Sequence, residues 1–315
     1  MATTLVSICI PAYKNVQYLQ RLLASISSQT FRDFEVIITD DSNDDFVKNY
    51  IASHKWRFSL SYFKNEIPVG SPENWNAAVR HAKGEWIKIM HHDDWFSSET
   101  ALEEFTQEIK SHHNSSFFFC SYENKYEDGE SKKVAPPNSL LRNLIFKNPL
   151  ALLSGNIIGP PSVTIYKNDG KTLYDDRIKW LVDIEFYIRY LKNKKPVYID
   201  RSLINIGIHE TQVTKDSFLK PEIEIPEHLI VLSKCGEDAL KNILVYDAFW
   251  RLMRNLNIKA LEQFSAYNKS NLPIPEKLKR IIKLQKKLPS TLLSFGLFSK
   301  IFMLFSYFLN RDKYK

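Results

Sequence analysis

Two pairs of adjacent aspartates each follow an apolar, strand-like stretch of this sequence. Asp40-Asp41 ends the stretch FEVIITDD, and Asp93-Asp94 follows the stretch IKIMHH. Adjacent carboxylates repel each other, and burying one costs several kcal/mol unless something pairs with it. Because neighbouring side chains of a strand point to opposite faces, one aspartate of each pair can face a shared ligand. The pairs indicate either a site for a divalent cation and a phosphate, the ligands that Mg²⁺ and Mn²⁺ favour, or solvated helix-capping turns.

Short apolar runs alternate with helix-like segments in the first part of the chain. The strand-like runs are 5–10, 34–39, 58–63, 85–90 and 117–121, and the helix-like segments are 16–26, 44–53, 71–83 and 98–111. This alternation predicts βαβ units and an α/β fold with a mainly parallel sheet. Ligands of such sheets bind beyond the carboxyl ends of the strands, where both aspartate pairs fall.

Three further residue types could take part in this chemistry. His91 and His92 could ligate a metal, although neighbouring residues of a strand diverge. On a helix predicted over 180–191, Trp180 and Asp183 share one face, so Asp183 can act as a base beside a flat platform for a sugar ring. A solvated acidic helix face is the alternative. Neither a Gly-x-Gly-x-x-Gly motif nor a P-loop lysine motif occurs, which disfavours dinucleotide-dependent enzymes and ATPases.

Composition limits the class of protein further. The chain has 315 residues, a net charge of +7 and three scattered cysteines without metal-ligand spacing, so we expect a reducing cytosolic environment. Its N-terminal apolar run lacks a preceding basic segment and is expected to be a strand rather than a signal peptide. From Lys277 onward ten basic residues face one acid, Asp312, which suits an anionic surface.

The stretch 291–309, TLLSFGLFSKIFMLFSYFL, is long enough to span a bilayer. However, Lys300 near its middle would cost roughly 2.5–3.5 kcal/mol in a spanning helix. The polar residues that fall on one helical face are Gly296, Ser299, Lys300, Ser306 and Asn310. We expect a helix that lies on an anionic membrane surface; packing on the catalytic domain or on a partner chain is the alternative. Nucleic acid is not expected as a partner, because the aromatic residues are not interleaved with the basic ones.

Four stretches together resemble the family-2 glycosyltransferases with the GT-A fold. They are SICIPAYKNVQYLQRLLASISSQTFRDFEVIITDDSNDD, VGSPENWNAAVRHAKGEWIKIMHHDDWF, IGPPSVTIYK and WLVDIEFYIRYL, and they span about residues 5–210. The resemblance implies a Rossmann-like, mostly parallel central sheet flanked by helices, with a helical C-terminal extension. The expected domains are a catalytic domain over 1–215, a helical extension over 216–290 and an amphipathic membrane-associated tail over 291–315.

The resemblance also implies roles for residues that bind the nucleotide. Pro11 and Tyr13 would line the nucleotide pocket, and Asp41 would accept a hydrogen bond from the base, a uracil or thymine. Asn76 would flank the pocket, and Asp93 would lie near the ribose.

For the reaction itself, the resemblance implies Asp94 and His209 as ligands of Mn²⁺ or Mg²⁺. Asp183 would be the catalytic base, and Trp180 would contact the acceptor. The sequence departs from the family at Val182, where many members have glutamate, and at Gly207, where many have arginine. Help with the diphosphate would then come from a lysine, Lys167 or Lys215.

The expected function is inverting transfer of a sugar from a UDP- or dTDP-sugar to a hydroxyl of a glycan or lipid-linked acceptor. Synthesis of a bacterial surface polysaccharide at the cytoplasmic face of the inner membrane, with the enzyme peripherally bound, fits this expectation. A catalytically silent scaffold of the same fold and a nucleotidyltransferase are the alternatives. The second would need a glycine-rich basic loop, where PAYKN supplies only Lys14.

Overall fold

The structure is a computed structural model that describes residues 4–209 and 219–311. The chain divides into two units. The first comprises Met1–Phe146, Ile157–Asp176 and Arg189–Gln212, and the second comprises Lys147–Asn156, Arg177–Ile188 and Val213–Lys315. The domain boundaries expected from the sequence, at 215 and 290, stay a prediction.

The first unit contains a single sheet among the described residues. Its strands are β1 (Val6–Ala12), β2 (Phe34–Asp40), β3 (Ser59–Lys64), β4 (Trp86–Ile89), β5 (Trp95–Phe96), β6 (Phe117–Tyr126), β7 (Ser131–Val134), β8 (Thr164–Lys167) and β9 (Val197–Ile208). They lie in the order β3-β2-β1-β4-β8-β6-β9-β5, with β7 paired to β6. Strands β3, β2, β1 and β4 are parallel to their neighbours within this group, and β6 is parallel to β9. The α/β fold class with a mostly parallel sheet is therefore confirmed, and the antiparallel pairs involve β5, β7 and β8.

Helices of the first unit pack on this sheet, and the remaining helices form most of the second unit. The helices of the described residues are α1 (Val16–Ser27), α2 (Phe46–Ala52), α3 (Glu73–His81), α4 (Ala101–Ser111), α5 (Ser139–Lys147), α6 (Val182–Tyr190), α7 (Pro221–Cys235), α8 (Ile243–Asn255), α9 (Leu261–Tyr267), α10 (Glu276–Lys286), α11 (Ser290–Ser294) and α12 (Gly296–Arg311). Helix α1 begins where the side chain of Asn15 accepts a hydrogen bond from the Tyr18 amide, a standard N-cap. Its buried residues recur every three or four positions, so one stripe packs into the core with β1 and β2.

The register of the parallel strands brings the predicted site residues to one edge. Ala12 of β1 lies opposite Asp40 of β2, and Cys9 of β1 lies opposite Ile89 of β4. The chain segments that follow these three strands, including both aspartate pairs, therefore leave the sheet on the same side. This is the carboxyl edge at which open α/β sheets bind ligands.

The second unit is built mainly from helices α6 to α12. A buried glutamate of α7, Glu227, accepts hydrogen bonds from the backbone amides of Lys179, Trp180 and Leu181, which precede α6. These amides lack partners within the helix, so the carboxylate satisfies them at the positive end of the helix dipole. None of the described helices is both long enough and apolar enough to cross a membrane.

A buried histidine of α7 makes the stability of this unit depend on pH. His228 is 7% exposed, and burial lowers its pKa to about 4 from a usual value near 6.5. The unfolded chain therefore binds a proton at this group between pH 6.5 and 4 while the folded chain does not, so stability falls as pH falls through this window. The shift corresponds to a loss of about 3 kcal/mol once both states are protonated.

We expect the substitution His228→Gln to flatten the decrease in stability between pH 7 and pH 4. Urea unfolding at several pH values measures this slope for the wild type and the variant. The control is His113→Gln, which removes an exposed histidine and should leave the slope unchanged. Equal slopes for the wild type and His228→Gln would contradict the prediction.

Candidate active site

The turns after β1 and β2 hold the first group of predicted nucleotide-binding residues. Pro11 is buried within β1, whereas the ring of Tyr13 is 46% exposed, with Lys14 Nζ 4.8 Å from its centroid. The backbone amide of Lys14 donates to the hydroxyl of Ser42, at 2.7 Å, and so ties the two turns together. An exposed aromatic ring at this edge suits contact with a flat ligand.

The carboxylates of Asp40 and Asp41 have different partners, as expected for neighbours at a strand end. Asp40 accepts from the hydroxyl of Tyr62 and from the Ser42 amide. Asp41 accepts from three groups of the loop after β3, namely Asn65 Nδ2 and the amides of Val69 and Gly70, at 2.7–2.9 Å. A carboxylate has about four acceptor positions, so Asp41 orders this loop and retains about one position for a ligand. Its contact with a nucleobase stays a prediction.

The amide of Asn76 joins helix α3 to a distant loop. Its Nδ2 donates to the carbonyl oxygen of Tyr174 and its Oδ1 accepts from the Tyr174 amide, at 2.9 and 2.8 Å. Nδ2 also donates to Glu73, whose other oxygen accepts from Arg80. The side chain is buried and these bonds occupy it, so its observed role is to position the Tyr174 segment, while nucleotide binding by Asn76 stays a prediction.

The turn after β4 places Asp93 and Asp94 in different surroundings. Asp94 is 2% exposed, and its Oδ1 accepts from the Gly207 amide of β9 at 3.2 Å. Asp93 remains partly exposed, and its Oδ2 lies 2.8 Å from His209 Nε2. The late histidine therefore pairs with Asp93, whereas the sequence grouped it with Asp94.

These surroundings shift the two pKa values in opposite directions. Burial raises the pKa of Asp94 well above its usual range, as does the neighbouring charge of Asp93, against hydrogen bonds from Ser162 and Gly207. Burial also acts to raise the pKa of Asp93, but the hydrogen bond from His209 and the nearby histidines outweigh it and lower the value to about 2. Of the two carboxylates, Asp93 is therefore the one that is ionised at neutral pH.

The loop 159–163 supports this turn from the other side. The Ser162 hydroxyl accepts from the His91 amide at 3.0 Å, and the Ser162 carbonyl oxygen accepts from the ammonium of Lys88. Lys88 is fully buried, and burial lowers its pKa to about 7. Gly159 begins the loop with φ +107°, and a Cβ there would lie 2.8 Å from the ring of Tyr122, so only glycine fits this position.

The close approach of β9 to the Asp93 turn explains the departure at Gly207. A Cβ at Gly207 would lie 2.5 Å from the carbonyl oxygen of Asp93 and 3.1 Å from Arg21 Nη2. Arg21, on α1, donates to that same carbonyl oxygen at 2.7 Å and lies over the ring of Trp95. The guanidinium of Arg21 therefore occupies the space that the side chain of an arginine at position 207 would enter. Arg21 was not predicted from the sequence, where the glycine at 207 was the available signal for a cation supplied by another element.

Two lysines were expected to assist the diphosphate, and the structure describes one of them, Lys167. Lys167 Nζ lies 3.5 Å from Glu85, and both side chains are about half exposed. Lys215 lies outside the described residues.

The residues of the turn fit a divalent cation. His91, Asp93 and Asp94 each offer one ligand atom, and these atoms all lie within 4.8 Å of one another. The Nδ1 atom of His91 lies 3.9 Å from Asp94 Oδ2, and its buried Nε2 atom has no hydrogen-bond partner among the described residues. Carboxylate oxygens with an imidazole suit Mn²⁺, and carboxylates alone suit Mg²⁺.

The predicted base, Asp183, belongs to the second unit and lies in the first turn of α6. Its Oδ2 accepts from Asn156 Nδ2 at 2.6 Å, and its Oδ1 accepts from the Ile184 amide at 2.8 Å. Desolvation raises its pKa to about 6 against these hydrogen bonds, although solvent still reaches the side chain. A carboxylate with this pKa is largely ionised at pH 7 and is a better proton acceptor than an ordinary aspartate.

Trp180 and Val182, close to Asp183 in the sequence, are held by contacts within the second unit. Glu227 holds the backbone before α6, including the amide of Trp180, whose side chain is partly exposed. Val182 is 3% exposed and packs inside the unit, so a glutamate there would be buried. Asn156 and Glu227 were not found from the sequence; an isolated acid within the apolar stretch IPEHLIVL was the available signal for Glu227.

This sheet, with its acidic carboxyl edge, has the GT-A fold of nucleotide-sugar-dependent glycosyltransferases. The Staphylococcus aureus protein TarS (residues 1–349, with UDP-GlcNAc) superposes with a TM-score of 0.65 at 19% identity, over 98% of this chain and 91% of that chain. The mannosyltransferase PcManGT from Pyrobaculum calidifontis, with GDP-Man and Mn²⁺, gives a TM-score of 0.57 at 14% identity, over 99% and 88%.

Residues 7–167 match the model of glycosyl transferase family 2, and the chain belongs to that family. An uncharacterized glycosyltransferase of Haemophilus influenzae is 28% identical over 213 residues, 65% of this chain and 69% of that protein. A relative from Rickettsia typhi is 23% identical over 67% of this chain and 66% of its own length. The chain thus matches about two thirds of the length of these relatives, and it is a glycosyltransferase as expected.

We expect Gly207→Ala to destabilise the protein, because the new Cβ must displace either β9 or the Asp93 turn. Overpacking of this kind costs about 1–3 kcal/mol. Urea unfolding measures the loss, with Gly155→Ala as the control because no atom lies within 4 Å of a Cβ at that position. Similar stability of the two variants would contradict the close approach described here.

Proposed function

We propose that this glycosyltransferase transfers a sugar from a nucleoside diphosphate donor, UDP- or dTDP-linked, to a hydroxyl group of a glycan or lipid-linked acceptor, with inversion at the anomeric carbon. The observation that carries the proposal is the cluster of His91, Asp93 and Asp94 at the carboxyl edge of the parallel strands. In a member of this family, such a cluster suits a diphosphate held through a cation.

The solved structures of similar proteins support a nucleotide-sugar donor. TarS is recorded with UDP-GlcNAc, and PcManGT with GDP-Man and Mn²⁺. TarS is named a poly(ribitol-phosphate) β-N-acetylglucosaminyltransferase, so a relative transfers a sugar to a polymer. That similarity covers 34% of this chain and 19% of TarS, and it supports only the class of acceptor proposed here.

Each residue receives one role in the proposed reaction. His91, Asp93 and Asp94 would hold the cation, because their ligand atoms lie within 4.8 Å of one another, and His209 would orient the carboxylate of Asp93 through its Nε2 atom. When bound, Mn²⁺ or Mg²⁺ would neutralise the charge of the nucleoside diphosphate leaving group. Tyr13 and Asp41 would receive the base.

Asp183 would accept the proton of the acceptor hydroxyl as that oxygen attacks the anomeric carbon. Asn156 and the Ile184 amide orient its carboxylate. Trp180 would contact the acceptor. The bond from the anomeric carbon to the diphosphate oxygen breaks as the new glycosidic bond forms, which gives the inverted product.

We expect the wild-type protein to be stabilised by a UDP- or dTDP-sugar only when Mn²⁺ or Mg²⁺ is present. A donor at a hundred times its dissociation constant stabilises a protein by about 2.7 kcal/mol. Thermal unfolding measures this effect, and Asp93→Asn should abolish it. Asp128→Asn, which alters an exposed acid in the turn between β6 and β7, is the control and should respond like the wild type. Equal donor stabilisation of Asp93→Asn would remove Asp93 from the proposed site.

We expect Asp183→Asn to lower kcat by about 10²–10⁴-fold, the usual contribution of a positioned base, while donor binding persists. In the wild type, kcat should rise with pH through about 6 and then level off, because the base must be deprotonated and its pKa is about 6. Initial rates of sugar transfer from pH 5 to 8 measure both effects.

The control for this experiment is Glu222→Gln, an exposed acid of the same unit, which should keep the wild-type rate and profile. Wild-type turnover by Asp183→Asn would show that another group is the base. The donor assignment is measured by thermal unfolding with Asp93→Asn and the base assignment by turnover with Asp183→Asn, so the two assignments are tested by separate readouts.

A further inference from the structure

The last helix, α12, packs on its unit with its polar face, whereas a surface helix usually packs with its apolar face. Its Ser299, Ser306 and Asn310 side chains are buried. Trp250 Nε1 donates to Ser299 Oγ at 3.0 Å, the hydroxyls of Tyr246 and Ser306 are 2.7 Å apart, and Asn310 Nδ2 donates to the Tyr246 hydroxyl at 2.8 Å. A water-exposed helix normally buries its apolar face instead.

The outward face of this segment is apolar and exposed. Its large side chains that are about half exposed or more are Phe295, Leu297, Phe298, Ile301, Phe305, Phe308 and Leu309. Six of them lie along α12, a helix of 16 residues that is about 24 Å long, and Phe295 directly precedes it. We call these seven residues the apolar face of α12. A contiguous apolar surface of this kind marks a place where a protein contacts another apolar phase.

Basic cavities lie at both ends of the helix. Near its first turn, a cavity of about 250 Å³ is lined by Arg254 and Lys259 together with residues of α11. Near its last turn, a second cavity of about 250 Å³ is lined by Lys241, Lys277 and Arg311. No acid is among the lining residues of either cavity, all of which are described, although Asp238 lies 2.8 Å from Lys241.

We propose that the apolar face of α12 inserts into an anionic phospholipid surface, with the two basic cavities beneath headgroup phosphates. Apolar area and cationic residues together are what interfacial helices use to bind anionic lipid. Because the polar stripe already anchors the helix to its unit, the helix is formed before binding and little ordering cost is added. The interaction is independent of the proposed sugar transfer.

The charge distribution favours lipid over a second copy of the chain. A symmetric dimer through this face would bring the basic ends of two helices toward each other, where like charges repel. An anionic headgroup layer attracts both ends at once. The polar stripe is engaged with Tyr246 and Trp250, so a surface position also leaves the packing of the helix unchanged.

Flotation of the full-length protein with vesicles tests the proposal. Wild-type protein should bind vesicles that contain phosphatidylglycerol more strongly than vesicles of phosphatidylcholine alone. Leu297→Asp should lower the partition coefficient by about tenfold or more, because a charged side chain replaces a leucine that leaves water. The matched control is Leu140→Asp, since Leu140 of the first unit is 82% exposed and Leu297 is 73% exposed.

A second pair of variants tests the charge. Lys241→Gln combined with Lys259→Gln should reduce the preference for phosphatidylglycerol, whereas Lys132→Gln combined with Lys133→Gln, on the exposed strand β7, should not. Circular dichroism and thermal unfolding identify any variant that fails to fold, and Ile301→Asp then replaces Leu297→Asp. Failure of the wild type to bind vesicles, or an equal loss in Leu140→Asp, would overturn the proposal. So would a wild-type dimer in sedimentation velocity that Leu297→Asp dissociates without any vesicle binding.

Discussion

The arrangement of the first unit depends on keeping two adjacent carboxylates close together at the end of β4. Ligand atoms of Asp93 and Asp94 lie within 4.8 Å of each other, where two unit charges repel by roughly 3 kcal/mol at an effective dielectric constant of about 20. The fold reduces this repulsion by giving each aspartate different partners. Asp94 is buried under the Gly207 amide and the Ser162 hydroxyl, and Asp93 pairs with His209.

Several local features follow from that arrangement. Strand β9 must approach the turn closely enough for its amide to reach Asp94, so residue 207 can have no side chain. The positive charge that an arginine at position 207 would supply comes from Arg21 on α1 instead. The loop that presents Ser162 must bend sharply, which Gly159 allows. An arginine, two glycines and a serine from distant parts of the sequence thus serve one pair of carboxylates.

The sequence predicted the elements well and the partners of individual side chains poorly. Local periodicity predicted β1, β2 and α1, whose boundaries lie within two residues of those expected. Buried strands and amphipathic helices each produce a hydrophobic pattern among residues that are close in the sequence. The pairing of His209 with Asp93 joins residues 116 positions apart, and the Asn76 clamp on Tyr174 joins residues 98 apart. Such contacts depend on strand order and loop paths, which no local pattern contains. The motif of two aspartates indicated a charged edge, but the fold decides which of the two is buried.

In the last helix, too, the sequence pattern predicts the element but not the contacts that its side chains make. From the narrow polar stripe on an apolar segment we expect a membrane-surface helix, with packing on its own domain as the alternative, because periodicity defines two faces without showing which one is inside. In the structure the stripe of Ser299, Ser306 and Asn310 packs inward on Tyr246 and Trp250, and the apolar side faces out, while membrane binding stays a prediction. Buried serines and an asparagine are tolerated because each has a hydrogen-bond partner, so their desolvation is compensated. Exposure of seven large apolar side chains has no such compensation in water, and this cost, together with the cations at both ends of the helix, is the physical basis of the proposed anionic lipid surface.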